Sequence, residues 1–344
     1  MQGVKVTKRK WTLIPALALT ALLSACGDDG TGSSTDAEGK EYDLKMSVTV
    51  ADTTAWFAGA QKLADDIEEE TDGRITIDVY ANEQLSGGDS AKAVEGLAKG
   101  SIDLTFNSTI IYSVLDERFG VVSAPFLFDS LDEVDAAFAG EGGDMLSNLL
   151  LEKNVVALGY GENGFRQITN DEGPIQAPDD LKGMKMRIPG ITMYTDLFRE
   201  YGADPATMTW SEVFTALQQG TIDGQENPID VIHSSKIDEV QEYLTLWNYS
   251  YDPLVLGINK NLYDSMSEED QELFKRLGEE AAAYQVKLNR ERAAEQLEEL
   301  KTKGMKVNEL SEEQIQAFKD ASQPIYEKYT DIWGEDLLKA FQGE

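Results

Sequence analysis

The chain has 344 residues, enough for one large domain or two ordinary ones, and its 41% hydrophobic content supports a real core and excludes global disorder. With 63 acidic against 30 basic residues it carries a net charge of −33, which excludes a binder of the nucleic-acid backbone, because that task needs a basic face. The excess suits a solvated, self-repelling surface that stays soluble in high salt.

Lys5, Lys8, Arg9 and Lys10 make a basic start, and "WTLIPALALTALL" (11–23) is an apolar run of 13 residues. A membrane span needs about 20, so residues 1–25 read as a signal peptide. The sole cysteine, Cys26, closes "LSAC" (23–26). Small residues before a cysteine at the end of such a run resemble a bacterial lipoprotein cleavage site, which makes Cys26 the expected lipid-bearing N-terminus. Cleavage there removes four basic and no acidic residues and moves the charge from −33 to −37. A lone cysteine forms no disulfide within the chain. Residues 26–40, rich in Gly, Ser, Thr and Asp, read as a flexible tether. Together these segments describe a body held at the outer face of a membrane.

In the body, "YDLKMSV" (42–48) alternates as a strand. "AWFAGAQKLADDIEEET" (55–71) has helical spacing, with Trp56, Ala60, Leu63 and Ile67 on one side. "GRITIDVY" (73–80) reads as a strand with Ile75, Ile77 and Val79 inward. "AKAVEGLAKG" (91–100) is a helix ending on glycine, and "SIDLTF" (101–106) is strand-like. This β-α-β-α-β order predicts an α/β layer with parallel pairing.

The end of that unit recurs. "GLAKGSIDLTF" (96–106) is echoed by "ALQQGTIDGQE" (216–226), with the glycines 120 residues apart. Gly100 and Gly220 suit the left-handed end of a helix. "GRITIDVY" and "GMKMRIPG" (183–190) are the expected matching upstream strands. Two such units predict two lobes with a cleft between them, a common ligand site. Toward the C-terminus, "EDQELFKRLGEEAAAYQVKLNRERAAEQLEELKTK" (269–303) reads as one long bracing helix. Ser267 with Asp270 and Ser311 with Gln314 resemble capping boxes.

Catalytic chemistry is poorly supplied. The only histidine, His233, lies away from any nucleophile motif, and no G-x-S-x-G, phosphate-loop or histidine metal motif is present. The eight arginines of the body are Arg74, Arg118, Arg166, Arg187, Arg199, Arg276, Arg290 and Arg292. The last three, on the long helix, read as surface partners of glutamates. Arg187 shares a strand face with Lys185, opposite Met184, Met186 and Ile188, and stands just before Pro189. An arginine at a strand end facing a crevice holds a carboxylate through two parallel hydrogen bonds; an edge-strand charge is the alternative. Arg166, in "GFRQITN" (164–170), invites the same reading. Asn227 precedes Pro228, so it reads as a helix N-cap as well as a ligand residue.

An ordered series of segments then carries a resemblance over 42 to about 330: "GRITIDVYANEQL" (73–85), "APFLF" (124–128), "GFRQITN" (164–170), "DDLKGMKMRIPG" (179–190), "GADPATMTWSEVFTALQQGTIDGQENP" (202–228) and "EVQEYL" (239–244). The chain resembles the solute receptors of TRAP (tripartite ATP-independent periplasmic) transporters, of the dicarboxylate-receptor type. The resemblance implies an α/β, two-lobed, periplasmic-binding-protein-like fold that closes on a small organic carboxylate. It also implies delivery to a sodium-coupled permease of small and large membrane subunits. Arg187 matches the family's carboxylate-binding arginine, Arg166 its second arginine and Asn227 its clamp asparagine. Trp210 stands where an aromatic residue often lines the pocket; a core tryptophan is the alternative. Thr49, Asn107 and Ser108 are the expected ligand-facing residues of the first lobe, and around them the sequence lacks the glutamate of sialic-acid-binding members.

The expected lobes are 41–163 with 253–292, and 164–252 with 293–344. No cofactor, metal or nucleic acid is implied, and no enzyme. A sensory lipoprotein reporting an organic acid to a membrane kinase or chemoreceptor uses the same site, and a hydrolase with a carboxylate pair is a third class.

Overall fold

The computed structural model describes residues 39–343. The expected signal segment, Cys26 and the tether as far as residue 38 lie outside them. Strand β1 (Tyr42–Val48) buries alternate residues and then its whole end. Helix α1 (Ala55–Glu70) is capped by Thr54, whose hydroxyl accepts from Phe57 N at 3.1 Å, and buries the expected Trp56, Ala60, Leu63 and Ile67. Strand β2 (Ile75–Tyr80) buries Ile75 and Ile77 but leaves Val79 half-buried. Helix α2 (Ser90–Lys99) ends on Gly100 at φ 78°, a left-handed turn that glycine adopts freely. Strand β3 (Leu104–Ser108) begins later than expected, because Ser101 and Ile102 turn back to donate to Gly96 O. Strands β2 and β3 both run parallel to β1, which lies between them.

Helices α3 (Thr109–Tyr112), α4 (Leu131–Ala139) and α5 (Glu141–Glu152) lead to β4 (Val155–Phe165) and β5 (Gln167–Asn170). A second unit follows: β6 (Lys185–Ile188), α6 (Thr192–Glu200), β7 (Asp204–Thr207), α7 (Trp210–Gln218) and β8 (Gly224–Asn227). Strands β7 and β8 flank β6 in parallel. The register repeats: Lys45 opposes Asp78 and Met46 opposes Leu104, while Lys185 opposes Asp204 and Met186 opposes Gly224. The shared Ile-Asp also repeats its contacts. Asp103 accepts from Lys45 N at 2.9 Å and Asp223 from Lys185 N at 2.8 Å, pinning each turn to its central strand.

The repeat therefore stands, but one correspondence changes. "GMKMRIPG" matches "YDLKMSV", the other central strand, and the counterpart of "GRITIDVY" is β7. That strand is four residues at a sheet edge, contains Pro205 and is half exposed, so it carries no alternation to read.

Helix α8 (Ile229–Ser234) and β9 (Tyr243–Leu246) precede β10 (Tyr251–Asn259), which inserts antiparallel between β3 and β4. Two sheets result, β2-β1-β3-β10-β4 and β11-β9-β5-β8-β6-β7, with β11 at Lys306–Glu309. The chain crosses from one to the other at Arg166 and returns through 247–250.

After α9 (Lys260–Asp264), α10 (Glu268–Lys303) runs 36 residues, about 54 Å at 1.5 Å per residue. Its first half joins the core of the first sheet through Phe274, Leu277 and Ala281, and Leu300 joins the core under the second. The expected brace is therefore present. Four glycines let it approach. A Cβ on Gly278 would stand 2.5 Å from Leu158 Cβ, on Gly159 2.8 Å from Ala282, and on Gly59 and Gly161 2.6 Å from Gln285 atoms.

Of the two expected capping boxes, Ser311 and Gln314 make both bonds at the start of α11 (Glu312–Ala321). Ser267 accepts from Asp270 N, but the Asp270 carboxylate is taken by Arg74. Arg276 pairs on the surface with Glu70 and Glu280 as expected. Arg290 does more than that: besides Asp135 it reaches the buried Glu162 at 2.8 Å. Helix α12 (Gln323–Trp333) packs on α6, and α13 (Glu335–Gln342) on α4 and α5, with Phe341 against Phe128 and Phe138.

Alanine at Gly278 gains up to about 1 kcal/mol of helix propensity but forces the seam open. Gly278→Ala is expected to destabilise the fold by about 1–3 kcal/mol, seen as a lower urea midpoint; an unchanged midpoint means that the seam has slack.

Candidate ligand-binding site

The C-terminal ends of the parallel strands of both units point at one cavity of about 260 Å³. Clefts outside such strand ends are common ligand sites in open α/β sheets. All seven residues singled out from the sequence border it: Thr49, Asn107 and Ser108 from the first sheet, Arg187, Trp210 and Asn227 from the second unit, and Arg166 from the crossing.

Arg187 is 5% exposed on β6. Its Nη2 and Nε donate to the Met208 carbonyl at 2.8 and 3.2 Å, and its guanidinium stands 5.3 Å from the Trp210 ring centre. Among the described residues no carboxylate forms an ion pair with it. Burial lowers its pKa to about 10, against the attraction of the more distant Glu226. A buried guanidinium without a counter-charge is costly and calls for an anion. Trp210, the first residue of α7, is half-buried. It packs against the edges of two cores and lines the cavity, so it is not a fully buried core tryptophan.

Arg166 differs from the expectation that set it beside Arg187. Its Nε and Nη2 donate to the Glu226 carboxylate, the latter at 2.9 Å, and its Nη1 to Asp252 Oδ2 at 2.6 Å. Its charge is thus already met by two buried carboxylates. Tyr249 also donates to Glu226 at 2.7 Å. Burial pushes the Asp252 carboxyl above its ordinary range, opposed by Arg166, Ser108 and Asn163, all of which donate to it. Neither carboxylate was singled out from the sequence. Glu226 lies inside the stretch "ALQQGTIDGQE", where nothing in the local pattern marks it. An aspartate followed by proline in the apolar run "YDPLVL" was the available signal for Asp252.

Asn227 is not the N-cap. It is the last residue of β8, and Pro228 holds the cap position of α8. The asparagine side chain donates to Gln225 Oε1 at 2.8 Å and accepts from Arg166 Nη2 at 3.2 Å. By the shared register its counterpart is Asn107, at the end of β3. So "DGQENP" is mostly structural: Asp223 pins the turn, Gln225 holds Asn227 and Glu226 holds Arg166. Asp230 follows in α8, accepting from Ala55 N at 3.3 Å and Gln296 at 2.6 Å.

In the first lobe a glutamate stands beside Thr49 and Asn107, but behind the cavity wall rather than in it. Glu83, left-handed at φ 51°, accepts from Ser47 at 2.6 Å, Thr49 at 2.7 Å and Asn107 at 2.9 Å. Burial raises its pKa. It arrives from a loop after β2, 24 residues before Asn107, and backs the wall. The Ser108 hydroxyl caps α3, accepting from Ile110 N at 3.1 Å. His233 bonds Glu299 at 2.7 Å, away from the cavity.

A model of the family described as bacterial extracellular solute-binding protein, family 7, matches residues 46–331. The 2,3-diketo-L-gulonate-binding periplasmic protein YiaO of Escherichia coli is 32% identical over 303 residues, 86% of this chain and 90% of that protein. The sugar acid binding protein DctPAm of Advenella mimigardefordensis, solved with galactonate, is similar with a TM-score of 0.85 at 32% identity, over 88% of this chain and 97% of that one. A TRAP periplasmic solute binding protein of Ralstonia eutropha, solved with (S)-2-acetolactate, gives 0.85 at 33% identity, over 88% and 98%.

The lowered pKa of Arg187 has a definite sign. The fold disfavours the charged form, so the cost is fully present below about pH 10 and fades only above it. Arg187→Met is expected to stabilise the ligand-free protein by about 1–2 kcal/mol, evenly between about pH 6 and 9, in thermal unfolding. A less stable variant means that the Met208 and Trp210 contacts outweigh the desolvation.

Proposed function

The chain belongs to the bacterial extracellular solute-binding proteins of family 7, and we propose that it binds a small organic acid in the interlobe cavity and closes on it. It then hands the acid to a sodium-coupled TRAP permease of small and large membrane subunits. The observation that carries this reading is Arg187: buried, facing the cavity and, among the described residues, without a counterion. One ligand carboxylate supplies the missing charge through charge-assisted hydrogen bonds. Asn227, bordering the same cavity, is the clamp in this reading, and Trp210 flanks the guanidinium. The relatives bind 2,3-diketo-L-gulonate, galactonate and acetolactate, all carboxylates. The proposed lobes are 41–163 with 253–292 and 164–252 with 293–344. In this reading the site binds without converting, as fits relatives that are binding proteins.

The net charge of −33 repels an anion at long range, but screening confines that to about 8 Å at physiological salt. The local field of Arg187 then decides capture. Arg187→Ala is expected to weaken carboxylate binding by about 2–5 kcal/mol in calorimetry, and near-unchanged affinity rejects it as the anchor. In the wild type, a bound acid at 100 times its dissociation constant adds about 2.7 kcal/mol of stability, so a thermal-shift screen of small carboxylates identifies the ligand.

The extracytoplasmic setting of the family fits Cys26 as a lipid anchor and residues 26–40 as its tether. Cys26→Ser is expected to move the protein from the membrane fraction to the soluble fraction; unchanged membrane retention removes the lipid from the account.

A further inference from the structure

We propose that the cavity selects a ligand with a single carboxylate and a neutral remainder, and rejects the dicarboxylate of matching length. The proposal rests on the reading of the cavity as a carboxylate site. It follows from a count of charges. The wall carries two guanidiniums, Arg187 and Arg166, and two carboxylates, Asp252 and Asp89. Arg166 is paired with Asp252 and with Glu226 behind it. Asp89 is paired with the exposed Lys92 at 3.0 Å. Arg187, Arg166, Glu226 and Asp252 therefore sum to zero before any ligand enters. If Asp252 took up a proton, Glu226 alone would still neutralise Arg166.

One carboxylate on Arg187 satisfies the only open cation of the wall among the described residues. A second has no partner. In about 260 Å³ it stands close to Asp252 or Asp89, and an unpaired charge taken from water is costly. The remaining polar wall is neutral and largely self-satisfied. Asn107 and Thr49 are held by Glu83, Asn227 by Gln225, and Asn163 by Asp252. Such groups accept a hydroxyl or a carbonyl and do not replace a counterion. Asp252 is thus the specificity-determining residue: Glu226 keeps Arg166 neutralised from behind, and the Asp252 carboxylate on the cavity wall repels a second ligand carboxylate.

The test uses the full chain, freed of co-purified ligand, and matched pairs that differ only by a terminal hydroxymethyl or carboxylate: glycerate with tartronate, erythronate with meso-tartrate, galactonate with galactarate. Calorimetry at neutral pH is expected to show the monocarboxylate of the best-binding pair ahead by about tenfold or more. Asp252→Asn is expected to narrow that gap. A dicarboxylate that binds as tightly as its partner, or more tightly, overturns the proposal and leaves the carboxylate reading standing. Failure of every acid to bind or to shift the unfolding temperature overturns both. The wild-type comparison decides the matter even if the variant does not fold.

Discussion

The arrangement turns on the ion cluster of Arg166, Glu226 and Asp252. Its members come from the crossing between β4 and β5, from β8 of one sheet and from β10 of the other. Buried ions cost several kcal/mol each to desolvate, so they persist only where each is fully bonded. Arg166 has donors on both carboxylates and on the Glu226 carbonyl, and Tyr249, Ser108 and Asn163 satisfy much of the remainder. That demand fixes the two strand ends relative to the crossing. It also orients Asn227, one residue beyond Glu226. With these groups occupied, Arg187 is left, among the described residues, as the cavity guanidinium with nothing ionic to bind.

The contrast between the two arginines explains what was legible in the sequence. Both lie at strand ends, and local pattern cannot separate them. Their difference lies in carboxylates 60 and 86 residues along the chain from Arg166. Counterions are a tertiary property, and residue type carries no trace of them. Asn227 shows the same limit from the other side. Asn-Pro is a good helix start by local rules, yet the strand keeps the asparagine for one more residue, and its amide is used between Gln225 and Arg166.

Elements whose stability is local were readable. Helix α1 has a clean apolar stripe, α2 ends on a left-handed glycine, and α10 is too long to mistake. The repeat was visible where it lies in turn chemistry, Gly-Ser/Thr-Ile-Asp, because that turn does the same work twice: a left-handed stop, a buried isoleucine and an aspartate on the neighbouring amide. It was misaligned upstream because β7 is an edge strand with proline and no buried face. Glu83 was invisible for a related reason. It sits in a left-handed loop residue, where no periodicity operates.

The glycine seam beneath α10 has a mechanical meaning. One half of the helix is clamped between α1 and β4 with no room for a methyl group, while its far end is bedded in the core of the other sheet. A stiff rod held at both ends behaves as a beam between two supports. A change of angle at the crossing cannot leave both beddings untouched: it has to bend the helix between them or shift one end in its core.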